Sequence, residues 1–184
     1  DLKPANIMVS PEGHPVVVDF GLARDDQAVT LTQSDAVLGT PSYMAPEQLD
    51  ETRTIDRRAD IHALAATLFE CLTLKRPFEA RTRPELFRRI LEEPAEDPLR
   101  INPRLPSEVR LVLASALDKN PGRRYDDALA FADDLRRIRM REPVHARPAP
   151  AWLRIVRWSQ RHPAASTLLV TSLVGLAAVA SVFF

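Results

Sequence analysis

The chain has 184 residues, with 25 basic and 25 acidic side chains. That length suits one domain with appendages, and a net charge of zero gives no support for a nucleic-acid partner, whose phosphates call for a basic surface. The single cysteine, Cys71, excludes an internal disulfide and is compatible with a reducing compartment; its apolar surroundings in sequence predict a buried, inert thiol.

The first elements are two short apolar runs, 7–9 (IMV) and 15–20 (PVVVDF), separated by the turn formers Pro11, Glu12 and Gly13. They read as a β-hairpin. Residues 21–45 are polar, without a sustained period, and predict a long loop of the kind that is usually functional. Residues 57–74 (RRADIHALAATLFECLTL) are apolar on most sides and predict a buried central helix. Further helices are expected over 84–93, with proline at the start and apolar Leu86, Phe87, Ile90 and Leu91 at helical spacing; over 107–119, capped by Ser107; and over 126–138, acidic at its start and rich in arginine at its end. One hairpin followed by helices, with no strand–helix–strand alternation, indicates a mainly helical unit.

Residues 143–150 (PVHARPAP) hold three prolines and read as a stiff linker, and from Arg136 to His162 basic residues heavily outnumber acidic ones. Residues 164–184 carry no charge. As a helix, 21 residues reach about 31 Å, the thickness of a bilayer's hydrocarbon core. A transmembrane helix is therefore expected there, with Arg154, Arg157, Arg161 and His162 on its cytoplasmic side and Trp152 and Trp158 at the interface. This arrangement makes the protein a membrane protein with one or more spans and everything before the span in the cytoplasm. The expected organisation is a helical domain over 1–139, a proline-containing linker over 140–151, a basic and aromatic juxtamembrane segment over 152–163, and the span over 164–184.

The chemistry-bearing residues stand at the start. Asp1 can take a proton from a hydroxyl, and Asn6 and Asp19 offer hard oxygen ligands suited to Mg²⁺. A hairpin folding back over 7–18 would return Asp19 to Asn6, gathering the parts that phosphoryl transfer uses. His14, His62 and His145 have no partner pattern and are expected at the surface or in packing, and no His/Cys spacing suggests a zinc site.

DLKPAN at 1–6, DFG at 19–21 and GTPSYMAPE at 39–47, in this order and spacing, resemble the catalytic domain of eukaryotic-type (Hanks-type) serine/threonine protein kinases, in their bacterial membrane-anchored form. The resemblance covers residues 1 to about 139. It implies the mainly α C-terminal lobe of the α+β kinase fold, with ATP and Mg²⁺ (or Mn²⁺) as cofactors and transfer of the γ-phosphate to Ser or Thr of protein substrates in transmembrane signalling.

The resemblance also assigns roles by position. Asp1 orients and deprotonates the substrate hydroxyl, Lys3 steadies the transferring phosphate, and Thr40 contacts both. Asn6 and Asp19 hold Mg²⁺ on the nucleotide. Phe20 and Gly21 complete the DFG triplet. Ala45, Pro46 and Glu47 end the activation segment, with Glu47 expected to pair with Arg124, and Asp60 ties down the catalytic loop. Thr30, Thr32 and Ser34 are candidate phosphorylation sites. The glycine-rich loop, strand lysine and helix glutamate of the family's N-terminal lobe do not precede Asp1, so the chain reads as a fragment expected neither to bind ATP tightly nor to transfer phosphate by itself. Ala65 stands where the family commonly has glycine, and His62 where an aromatic is usual.

Two other readings come from different classes. A pseudokinase or membrane-tethered scaffold would keep the fold without catalysis, against which Asp1, Lys3, Asn6 and Asp19 all stand intact. A small-molecule phosphotransferase of the aminoglycoside-kinase type would share the Asp-x₄-Asn loop, but not DFG and GTPSYMAPE. Dimerisation through the small residues of the span is compatible with the sequence.

Overall fold

The computed structural model describes residues 2–18, 41–50, 52–146 and Thr167. Contacts divide the chain into two units, Asp1–Arg147 and Pro148–Phe184.

The first unit opens with a 3₁₀ turn, Pro4–Asn6, that leads into strand β1 (Ile7–Val9) and its antiparallel partner β2 (Pro15–Val17). The register pairs Ile7 with Val17, Met8 with Val16 and Val9 with Pro15. Gly13 makes the reversal possible, because its φ of 85° lies in the left-handed region that a side chain disfavours. The hairpin expected from the alternating turn formers is present.

Five helices follow among the described residues: α1 (Arg58–Thr73), α2 (Arg83–Glu92), α3 (Pro98–Ile101), α4 (Ser107–Ala116) and α5 (Ala128–Met140). Helix α1 is the hub. It packs against α3, α4 and the 3₁₀ turn Pro41–Tyr43, and α4 packs in turn against α5. Ile61, Ala65, Ala66 and Phe69 of α1 meet Val109, Val112, Leu113 and Ala116 of α4, with Tyr43, Leu117, Tyr125 and Phe131 closing the core. The alanines at 65 and 66 are fully covered, so neighbouring chain runs close to the helix there.

The helix ends are chemically defined. Thr82 caps α2 by accepting the Glu85 N–H, Asp97 caps α3 through Leu99, and Asp127 caps α5 through Ala130. The cap expected at Ser107 is not formed. Ser107 is the first helical residue of α4, Pro106 takes the cap position, and the serine hydroxyl donates to Glu108 instead.

Two further expectations are corrected. Cys71 is exposed, not buried. It falls on a stripe of α1, with Asp60, Leu64 and Leu68, that the described residues leave partly or wholly uncovered; the leucines made this stripe look like core in sequence. The helical unit also runs past residue 139. Met140 belongs to α5, and Val144 and Ala146, expected in the linker, pack against the core. The expected span over 164–184 lies outside the described residues, Thr167 apart. No helix among the described residues is long and apolar enough to cross a membrane.

Candidate active site

The loop that carries Lys3 and Asn6 is closed by its own turn and held from two sides. Lys3 is extended, and the Pro4–Asn6 turn closes with the Asn6 N–H donating to the Lys3 carbonyl at 3.0 Å. Pro4 suits the first position of such a turn, where its missing N–H costs nothing. Asn6 is buried, 8% exposed. Its carbonyl accepts the Val18 N–H at 3.0 Å, so the hairpin brings the chain back to Asn6 at the residue before Asp19. From the other side, the Thr67 hydroxyl of α1 donates to the Leu2 carbonyl at 3.4 Å. The central helix thus fixes the start of the loop and the hairpin fixes its end.

Asp1, Asp19, Phe20, Gly21, Thr30, Thr32, Ser34 and Thr40 lie outside the described residues. Asn6 and Lys3 are the described members of the expected catalytic set. A buried amide at the base of the hairpin is chemically suited to a hard cation such as Mg²⁺, which takes oxygen ligands.

The segment after residue 40 is anchored by a buried ion pair. Glu47 sits in the 3₁₀ turn Pro46–Gln48, 1% exposed. Arg124 meets it with both prongs of the guanidinium, Nη1 to Oε1 at 2.6 Å and Nη2 to Oε2 at 2.7 Å. Arg124 also donates to the carbonyls of Asp118 (2.8 Å) and Arg58 (3.0 Å). One guanidinium therefore joins the 46–48 turn, the start of α1 and the stretch after α4. Such pairing is what allows both charges to be buried. Ala45 and Pro46 are buried beside it, and the Ala45 N–H donates to the Gln48 side chain.

Tyr43 adds a second anchor. Its hydroxyl donates to Glu70 of α1, and Arg76 lies 5.9 Å from the ring centroid. Burial, reinforced by the Glu70 carboxylate, pushes the phenol up to about 12, so it stays a donor at neutral pH.

Asp60 is exposed in the first turn of α1, and among the described residues nothing hydrogen-bonds its carboxylate. The described tie between α1 and the Lys3–Asn6 loop is Thr67. Thr67 leaves no mark in the sequence, since a threonine inside an apolar helix carries no signal of what its hydroxyl reaches.

The protein kinase domain model matches residues 1–134. Over 135 residues the chain is 37% identical to the tyrosine-protein kinase MasK of Myxococcus xanthus, covering 73% of this chain and 21% of that protein. It is 38% identical over 137 residues to the probable serine/threonine-protein kinase PknB of Bifidobacterium longum, covering 73% and 20%. It is 40% identical over 140 residues to the serine/threonine-protein kinase PknD of Mycobacterium tuberculosis, covering 73% and 21%. The chain belongs to the protein kinase domain family. It spans about a fifth of the length of these curated relatives.

Proposed function

We propose that the chain is the helical part of a membrane-anchored serine/threonine protein kinase. The reaction is transfer of the ATP γ-phosphate to a Ser or Thr hydroxyl of a protein substrate. The observation that carries this reading is the placement of Asn6, a buried amide locked to the hairpin through Val18 and one turn from Lys3. ATP with Mg²⁺ supplies the phosphoryl group and the charge that neutralises it. In this reading Asn6 holds the metal together with Asp19, Lys3 steadies the phosphate, and Asp1 takes the hydroxyl proton, with Thr40 positioned beside them. The pseudokinase alternative is disfavoured because none of these residues is replaced.

Relatives named as serine/threonine kinases support phosphoryl transfer to Ser or Thr hydroxyls, while MasK is named a tyrosine kinase. The test is phosphoamino-acid analysis of labelled product made by the protein carrying this chain, alongside its Asn6→Ala and Lys3→Met variants. Phosphoserine or phosphothreonine that falls at least about a hundredfold in either variant is the expected result. Phosphotyrosine alone, or transfer indifferent to Asn6→Ala, would overturn the reading.

Membrane anchoring rests on the uncharged stretch 164–184 and the arginines that precede it. Alkaline extraction of membranes should leave the chain in the pellet and release a version ending at residue 150. Release of both would remove the anchor from the proposal.

A further inference from the structure

Asp134 is a carboxylate on α5 with no exposure at all. Its oxygens are filled by donors from two directions. Oδ1 accepts the His145 N–H at 2.7 Å and lies 3.2 Å from His145 Nδ1. Oδ2 accepts the Tyr125 hydroxyl at 2.8 Å and the Ala146 N–H at 2.9 Å. Burial works to raise the Asp134 carboxyl, and the His145 N–H, the Tyr125 hydroxyl and the Ala146 N–H outweigh it, leaving the group below the usual range. A buried charge is tolerated only with such donors. Two of them are backbone N–H groups of the chain leaving the domain.

That chain is turned back deliberately. Arg141 takes a left-handed conformation (φ 59°) at the end of α5, and its N–H donates to the Ile138 carbonyl. Glu142 then folds over α5, its N–H donating to Arg137 and its carboxylate pairing with Arg136 (3.5 Å) and Arg137 (3.8 Å). Val144 and Ala146 pack against the core. Asp133, Asp134 and His145 lie close enough together to suggest a metal site. Asp133, however, is engaged by Arg136 and Arg137, and Asp134 by the four contacts above. The cluster holds chain, not a cation.

On its inner side Asp134 reaches Tyr125, which is adjacent in sequence to Arg124. The Tyr125 ring packs on Phe131 at a centroid distance of 5.2 Å. A continuous path therefore runs from Ala146 through Asp134 and Tyr125 to the Arg124–Glu47 pair.

We propose that residues 142–146 form a latch: the departing chain is fastened to α5 at Asp134, and opening the latch loosens the Arg124–Glu47 anchor through Tyr125. Whatever moves the chain beyond residue 146 would then be felt at the 46–48 turn. The inference does not depend on the anchoring or the reaction proposed above.

Amide hydrogen exchange on the full chain tests it, because exchange reports local opening residue by residue. In the unaltered protein the His145 and Ala146 amides should be protected; free exchange at both would overturn the latch. Ala146→Pro removes one donor to Asp134 without touching a helix. It should speed exchange at Gln48 and Leu49, whose N–H groups close the 46–48 turn, by roughly tenfold, the scale of one lost hydrogen bond to a charged group. The amides of α1 should keep their rates. Unchanged rates at Gln48 and Leu49 would overturn the coupling. Should α1 exchange also accelerate, global unfolding is the cause, and Tyr125→Phe decides. That variant removes one hydroxyl and leaves the strap bonded, and the same local acceleration supports the path while unchanged rates overturn it.

Discussion

Glu47 and Arg124, 77 positions apart in sequence, meet as a two-pronged ion pair with both side chains wholly withdrawn from solvent. Removing one partner leaves the other charge buried and unpaired, which costs about 3–5 kcal/mol. Arg124→Leu has the larger expected effect, since it also strips donors from the Asp118 and Arg58 carbonyls. Glu47→Leu leaves those two bonds intact. The Glu47→Leu/Arg124→Leu double variant should be less destabilised than the sum of the singles, because no lone charge remains. Urea denaturation followed by far-UV circular dichroism checks this. Additive losses would mean that the pair is not coupled.

How far these features could be read from the sequence depends on which contacts make them. The hairpin and the four longer helices follow from local pattern: turn formers between short apolar runs, and apolar residues at helical spacing. Glu47–Arg124 could not be found that way. No period links positions so far apart, and only the kinase resemblance paired them. The docking of residues 142–146 on α5 is invisible in the sequence for a related reason. Pro143, Pro148 and Pro150 gave residues 143–150 the composition of a linker, while the docking is done by two backbone N–H groups, which leave no mark on composition. Cys71 misled in the opposite direction, since a leucine-rich helix does not reveal which stripe its neighbours leave open.

The end of α1 carries a strain that can be relieved. Leu74 closes the helix in the left-handed conformation, with φ 58° and ψ 20°, and the residue is 89% exposed. A side chain in this region costs about 1–2 kcal/mol, which glycine avoids. Leu74→Gly should therefore stabilise the chain by about 0.5–1 kcal/mol, after allowing for the extra freedom glycine has when unfolded. Leu74→Ala keeps the Cβ and should gain nothing. An unchanged or lower urea midpoint for Leu74→Gly would show that the C-cap is not strained.

Lys119 fastens α2 to the core. Its ammonium sits 3.8 Å from the centroid of the Phe78 ring and donates to the carbonyls of Arg89 and Ile90, in the last turn of α2. A cation is favoured at that end of a helix and over an aromatic face. Lys119→Met keeps most of the stem and loses the charge. The expected cost is about 1–2 kcal/mol, with faster amide exchange confined to α2. Loss of protection across α1 and α4 instead would place Lys119 in the global core and not at a local fastening.

The same Phe78 ring also meets His62, whose ring is stacked on it at 6.2 Å with the planes 5° apart. His62 is fully buried, and neither ring nitrogen has a hydrogen-bond partner among the described residues. Burial holds its pKa well below 6.5, and the charges of Arg124 and Lys119 add to the effect; the Tyr43 backbone opposes it weakly. The imidazole is therefore neutral in the folded chain at a pH where it is charged in the unfolded one. Above about pH 6.5 both states are neutral and His62 contributes no pH dependence. Below that, the unfolded state binds the extra proton, and stability falls by up to about 1.4 kcal/mol per pH unit until the folded-state pKa is reached. Asp134, also depressed, loses its contribution only as the pH falls through the carboxylate range, so its loss begins at lower pH than that of His62. His62→Phe keeps a ring against Phe78 and removes the titration. Any cost of fitting the slightly larger ring is the same at every pH, so the comparison rests on slope and not on absolute stability. Urea midpoints between about pH 5 and 8 should slope downward on acidification in the unaltered chain and flatten in His62→Phe. Equal slopes would mean that another group drives the acid sensitivity.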